Sequence, residues 1–210
     1  MKINSIQPRF KENYDVGYIG FTYNRSDLTS IGIAYFTDWI RMSDIKVSHC
    51  FIVTGEDELI EAAAKEGVRK DTISKYFNDP NVQVFFRKPK MNGGYPFTDI
   101  QSIASSAKWY LGEKYNYFAI LIQALYGNKT IPRLLEFRSD IYSIRNFLLY
   151  YLDGLLWRGF ICSGLVARVL STCGCFSINV LPYNLISPQE LFESAKPFYP
   201  WRGSAVVESK

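Results

Sequence analysis

Val47-Ser48-His49-Cys50-Phe51-Ile52-Val53-Thr54-Gly55-Glu56-Asp57-Glu58-Leu59-Ile60-Glu61-Ala62 is the stretch that decides the fold. A β-branched and aromatic run, a turn at Gly55-Glu56-Asp57 and a second short apolar run predict a β-hairpin with a short loop. Side chains alternate across a strand, so if His49 faces a cleft, Cys50 points into the core and the two cannot serve one site. Positions 49 and 61 fall near opposite one another across the hairpin, on one face and within cross-strand reach. A carboxylate there would accept the imidazole N–H, fix its tautomer and stabilise the imidazolium. His49 is the single histidine of the chain, so any histidine-dependent chemistry passes through it.

Outward from the hairpin, residues 14–23 have strand character (Val16, Tyr18, Ile19, Phe21, Tyr23), and residues 26–41 suit a helix packed on one face. Residues 82–87 alternate as a third strand of the group. Thr98-Asp99-Ile100-Gln101 has a capping-box pattern that predicts a helix to about Leu111, stopped by Gly112. Residues 115–126 and 134–157 read as helical. So does 162–172, with Leu165, Val166, Val169 and Leu170 facing inward and an end near Gly174. Ser187-Pro188-Gln189-Glu190 combines an N-cap, a proline at the first helical position and a returning glutamate, with Ile186 and Leu191 placed as a staple. From Pro197 the chain is expected to be extended or irregular. The sum is α+β: a small antiparallel β-sheet or barrel with helices on one side.

Composition narrows the function classes. The 210 residues suffice for one domain with a real core. Hydrophobic content of 48% and charge of 21% are ordinary for a globular chain. The net charge of +4 is modest, and the basic stretches 65–70 and 87–90 are interrupted, which speaks against a nucleic-acid footprint. The N-terminus lacks an apolar core of signal-peptide length, and no apolar run reaches the ~18 residues of a spanning helix, so a cytoplasmic location is expected. Aromatic residues are enriched at 16%, clustering in 109–126 and 137–160, where they would feed a helical core or an apolar groove. Cys173-Gly174-Cys175 is too tightly spaced for a zinc knuckle and no histidines remain to complete one, so neither metal nor cofactor is expected.

Phe160-Ile161-Cys162-Ser163-Gly164 puts a cysteine where a helix begins. Unpaired N–H groups and the positive dipole end favour thiolate there, and a nearby imidazolium deepens the effect. The Cys162 N–H would also help hold a developing oxyanion, and Ser163 and Gly164 leave room beside it. Cys162, His49 and Glu61 thus supply a nucleophile, a base and an orienting carboxylate. Taken alone, each has an ordinary structural role to play: a small core residue, a hydrogen-bonded strand residue, a polar edge position.

Cys162-Ser163-Gly164-Leu165-Val166 resembles the nucleophile motif of the NlpC-type papain-like cysteine peptidases. Ser48-His49 through Val53, Leu59-Ile60-Glu61-Ala62 and Gly67-Val68 are similar to that family's histidine strand, third-residue strand and following turn. The order is inverted, with the cysteine helix after the histidine strand, as in the circularly permuted YiiX-like branch related to lecithin retinol acyltransferase proteins. Leu185-Ile186-Ser187-Pro188 through Leu191 also resembles that branch. The chain departs from ordinary members at Ile161, where they carry aspartate, at Gly17-Tyr18 in place of Gly-Asp, and at Glu61, where histidine is frequent. Gly112 to Tyr115 is similar to the family's tyrosine turn, which implies that Tyr115 lines the oxyanion site. The resemblance implies a single permuted papain-like domain over 1–210 with a helical insertion at approximately 127–158.

The expected activity is therefore a thiol hydrolase cleaving amide bonds in small peptides or amino-acid amides, including fragments of cell-wall origin. An acylated small molecule is a further substrate type. One alternative passes the acyl group to an amine or alcohol, or acts as a thioesterase on lipid, with peripheral membrane contact through the aromatic 117–160 region. Another is a binding module without catalysis. Substrate and oligomeric state stay open at this level.

Overall fold

The structure is a computed structural model and describes residues 9–36, 45–91, 99–120, 159–175 and 183–199. Five antiparallel strands form one open sheet in the order β4-β3-β2-β1-β5: β1 Ile19–Asn24, β2 His49–Val53, β3 Leu59–Ala63, β4 Gly67–Asp71 and β5 Val82–Arg87. The outer strands β4 and β5 do not pair with each other, so the described strands make a sheet and not a closed barrel. The helices are α1 Leu28–Phe36, α2 Ser74–Phe77, α3 Gln101–Lys108, α4 Cys162–Thr172 and α5 Pro188–Glu193, with a 3-10 turn at Tyr183–Leu185.

The hairpin forms where the sequence predicts it, but β4 was not foreseen. Only Val68 of Gly67–Asp71 is a buried apolar residue, and Arg69 and Lys70 give it the look of a loop. Such a strand is held by its ladder, Glu61↔Arg69 and Ala62↔Val68 included, and its charges suit a sheet edge. The short α2 was also unforeseen. β1 begins later than the 14–23 segment suggests, because Gly17 at φ 90 turns the chain first.

Both faces of the sheet are covered, which corrects the expectation of helices on one side only. Ile19, Phe21, Cys50, Ile52, Ile60, Ala62 and Phe85 pack against α3, α4 and α5. On the other face Phe51, Val53, Leu59, Val84 and Phe86 meet Tyr14, Phe10 and the aromatic pair Tyr76 and Phe77. Gly20 is required there, since a Cβ would lie 2.1 Å from the Phe51 ring. In α1, Leu28 at 84% and Ile31 at 37% exposure depart from the expected buried stripe. Asp27 caps that helix by accepting from Thr29 and Ser30 N–H at 3.1 and 3.0 Å.

Three polar locks tie the C-terminal segment to the rest. Gln189 accepts from Val47 N–H at 3.0 Å and donates to Ile45 O at 3.1 Å, fixing the run into β2 against α5. Ser163 Oγ donates to Ile186 O at 2.6 Å. Arg87, fully buried, donates to the carbonyls of Phe192, Ser194 and Tyr199 and lies over the Phe198 ring, and burial lowers its pKa to about 10. The capping box at Ser187 and Glu190 forms as read, with Ser187 Oγ accepting from Glu190 N–H at 3.1 Å and Glu190 accepting from Ser187 N–H at 2.8 Å. α4 forms as read, with Gly174 following it at φ 72; α3 starts at Gln101 without a side-chain cap and ends at Lys108, short of Leu111, with Gly112 at φ 86 beyond, and Thr98 of the expected capping box lies outside the described residues. Residues 117–120 begin a helical segment. The helices expected over 121–126, 134–157 and 37–41, and the insertion at 127–158, lie outside the described residues.

Candidate active site

Helix α4 starts where it does because Ile161 is extended, at φ −87 and ψ 167, and Cys162 is the first helical residue. Asn184 holds that entry. Its Oδ1 accepts from Ile161 N–H at 3.2 Å and its Nδ2 donates to Gly159 O at 3.1 Å. Gly164 leaves space for this side chain, for a Cβ would sit 2.1 Å from Asn184 Oδ1. Gly159, at φ 91, lets Phe160 N–H reach Lys114 O at 2.9 Å, and Asn116 N–H donates to Phe160 O at 3.1 Å. Tyr115 is thereby aligned with Phe160, two residues before Cys162.

The lone imidazole lies beside this helix start. His49, the first residue of β2 and 25% exposed, hydrogen-bonds through Nε2 to Glu61 Oε2 at 2.8 Å. The second side-chain partner of the ring is Cys162, and with Nε2 held by Glu61, Nδ1 is the nitrogen left for the sulfur. His49 is thus bonded to Glu61 and feels the charge of Cys162, although 113 residues separate it from that cysteine.

The register differs from the expected one. β3 pairs with β2 through Ile52↔Ile60 and Val53↔Leu59, which continues to Phe51 and not His49 opposite Glu61. His49 reaches the carboxylate diagonally along the same face, a distance a long side chain spans. The ladder between β2 and β3 holds these two pairs, and α4 packs against both strands. Cys50 belongs to the same core cluster as Cys162 and acts on its titration. Cys50 is in the core as expected, but it is not remote from His49's site.

Glu61 is 2% exposed and accepts five hydrogen bonds. His49 and Tyr76 Oη, the latter at 2.6 Å, share Oε2; Arg69 Nε and Nη2, at 3.2 and 3.0 Å, and Lys75 Nζ, at 2.7 Å, share Oε1. Asp71 Oδ2 takes a second contact from both cations, 2.6 Å each. Tyr76 also stacks on Phe51 with ring centroids 5.2 Å apart. Burial would raise the Glu61 pKa, but the bonds from His49 and the charges of His49 and Lys75 outweigh it and hold the carboxyl below its ordinary value. A carboxylate so gripped is a rigid acceptor.

The same balance governs the pair it supports. Burial pushes the His49 pKa down, but the charge and hydrogen bond of Cys162, then those of Glu61, prevail and raise it from 6.5 to about 10. Cys162 is held well below its ordinary thiol value by the Cys50 hydrogen bond and by the charge of His49, against burial. Cys50 moves the other way, well above 9.0, because it is buried beside a negative sulfur. The arrangement favours thiolate and imidazolium together, at a helix start whose own N–H groups point the same way.

Of the two expected substrate-binding groups, Tyr115 is half-buried and feels the Cys162 charge; burial foremost, then that charge, raises its pKa and keeps it a neutral O–H donor. Tyr117, 55% exposed, meets it edge-on with centroids 5.0 Å apart. Ser163 is fully buried and its hydroxyl donates to Ile186 O, so its side chain serves the helix. Asn184, Tyr76, Lys75, Arg69 and Cys50 escaped the sequence reading. Each acts through a partner distant in sequence or through a register that no local pattern announces. Among the described residues no three metal-ligating side chains gather, and no helix is long and apolar enough to cross a membrane. No family model and no curated protein matches the chain significantly.

Proposed function

We propose that this chain is a cysteine hydrolase of permuted papain-like architecture that cleaves amide bonds in small peptides or amino-acid amides. The observation that supports it is the Cys162 thiol, at the first turn of α4, in contact with an imidazole whose other nitrogen is fixed by a buried carboxylate. In this reading Cys162 attacks the carbonyl carbon. His49 then gives its proton to the departing amine, and the amine leaves from an acyl-thioester. A water deprotonated by His49 next attacks the thioester, releasing the acid and restoring the thiol. Glu61 keeps the ring oriented throughout and stabilises its charged form. The N–H of Cys162 and the O–H of Tyr115 are the donors offered to the oxyanion.

A second reading, acyl transfer or thioester cleavage on a lipid substrate, draws on the exposed rings Tyr117 and Phe118, the former against Tyr115. Iodoacetamide at neutral pH should alkylate Cys162 faster than Cys50, Cys173 and Cys175, and His49→Ala should slow that reaction. Equal rates for the four thiols would refute the catalytic reading in favour of a binding module. Mass spectrometry of the protein after incubation with peptide mixtures and with lipid extracts identifies the acyl group on Cys162; a fatty-acyl adduct would replace the amidase by the lipid enzyme.

A further inference from the structure

The two oxygens of Glu61 are served by different kinds of donor. Oε1 takes the cations, Arg69 Nη2 at 3.0 Å and Lys75 Nζ at 2.7 Å, and both of these also hold Asp71 Oδ2 at 2.6 Å. Oε2 takes His49 Nε2 at 2.8 Å and the Tyr76 hydroxyl at 2.6 Å. Tyr76 and the imidazole therefore meet on one oxygen, with their ring centroids 6.1 Å apart.

The hydroxyl is delivered by packing outside the carboxylate. Asp57, in the turn between β2 and β3, accepts from Ser74 N–H at 2.7 Å and from Ser74 Oγ at 2.9 Å, which fixes the start of α2. The Tyr76 ring then stacks on Phe51 at 5.2 Å and 11°. Phe51 lies two residues beyond His49 in β2, on the same face of the strand. Lys75 Nζ lies 4.6 Å from the Tyr76 ring centroid. Burial first, then the charge of Glu61, holds the Tyr76 hydroxyl well above its ordinary pKa, so it stays a donor.

We propose that Tyr76 is a positioning residue for His49, its hydroxyl fixing Glu61 Oε2 where the imidazole N–H meets it. A carboxylate drawn by two cations through one oxygen turns toward them unless its other oxygen is held. A third cation on Oε2 would hold it but would repel the imidazolium. A neutral hydroxyl holds it without that repulsion, and on a ring already stacked it gives up little freedom in doing so. The purpose of this device rests on the proposed hydrolysis, which needs an oriented imidazole, but its geometry involves no atom of Cys162.

The single histidine makes the test direct, because one set of imidazole nuclear magnetic resonance signals reports on His49 alone. The isotope-labelled full chain is compared with Tyr76→Phe, which keeps the stacked ring and removes only the hydroxyl. Tyr14→Phe is the control, since it removes from the same aromatic cluster a hydroxyl that donates to Glu56 O at 3.1 Å. In the unaltered chain the His49 Nε2–H proton should give a cross-peak to Tyr76. In Tyr76→Phe that proton should exchange with water several-fold faster. Iodoacetamide should then modify Cys162 several-fold more slowly at neutral pH, with the midpoint of its pH profile moved up. Tyr14→Phe should change none of these.

Urea unfolding is measured alongside. A loss of stability in Tyr76→Phe with an unmoved imidazole proton would show a packing role only and overturn the proposal. Slower exchange would overturn it too, because the hydroxyl would then merely draw charge from Oε2. The cross-peak needs no variant, so its absence from the unaltered chain is decisive against the proposal even if Tyr76→Phe does not fold. Fast Cys162 alkylation with an unmoved imidazole proton leaves the hydrolase reading standing without Tyr76. A Cys162 no faster than the other thiols in the unaltered chain removes the hydrolase reading, while the anchoring of His49 stands or falls on its own proton.

Discussion

A thiolate facing an imidazolium has a stability signature that no other protonation state of the pair produces. In the unfolded chain the imidazole titrates near 6.5 and the thiol near 9.0. Folding raises the first to about 10 and lowers the second well below 9.0. Taken singly, the imidazole contributes stability that is complete below pH 6.5 and is lost as pH rises through about 10. The thiol contributes stability that is complete above pH 9.0 and is lost as pH falls toward its lowered value. Between 6.5 and 9.0 the folded pair holds one proton, on His49, and the unfolded pair holds one, on sulfur, so the two slopes cancel. Above 9.0 the folded state holds the extra proton, and stability should fall by about 1.4 kcal/mol over the next pH unit. Below 6.5 the unfolded state holds it, and stability should fall at the same rate toward acid until Cys162 itself protonates. The assay is urea unfolding under reducing conditions from pH 5 to 10, subtracting the curve of a His49→Gln, Cys162→Ser double variant. The expected difference curve is a plateau with two shoulders. A steady decline from pH 6.5 would mean an imidazolium facing a neutral thiol, and a flat curve throughout would mean no coupling; either refutes the ion pair.

The remaining predictions concern the parts that hold this pair. Glu61→Gln replaces the charged acceptor of a charge-assisted hydrogen bond, of the class worth about 1.5–3 kcal/mol, by a neutral one, so the midpoint of Cys162 alkylation against pH should move up by about one to two units. An unmoved midpoint would show that Glu61 does not support the charged ring. Gly164→Ala drives a methyl toward Asn184 Oδ1 and should cost about 1–3 kcal/mol by urea midpoint. The same variant should slow Cys162 alkylation, because Asn184 fixes Ile161. Ser187→Ala removes the cap of α5 and should cost about 1 kcal/mol, with little effect on alkylation.

The local signals in the sequence were carried by periodicity and turn chemistry, and those elements formed: the hairpin, the α4 start at Cys162 and the Ser187 capping box. β4 escaped because its pattern is that of an edge, with one apolar residue buried and the charges outside. Chemistry-bearing residues suggested His49, Glu61 and Cys162 by type. Their contact depends on a long loop closure that no local pattern encodes. The hairpin register slipped by two positions relative to the expectation, which kept Glu61 on the same face but changed its neighbour. Tyr76, Lys75 and Arg69 could not be assigned to Glu61 without α2 and β4. Gln189 could not be assigned to Val47, since only folding brings them together across 142 residues.

The polar locks also set an order in time. During synthesis the hairpin emerges long before α4, and Asn184 and Gln189 emerge after the helix they position. Until those amides arrive, the sulfur has neither a fixed entry turn nor the imidazole beside it, and it should titrate like any cysteine in a disordered peptide. On the proposed reading, heightened nucleophilicity thus arises as a late event in the life of the polypeptide, and a growing chain on the ribosome carries a thiol of ordinary reactivity.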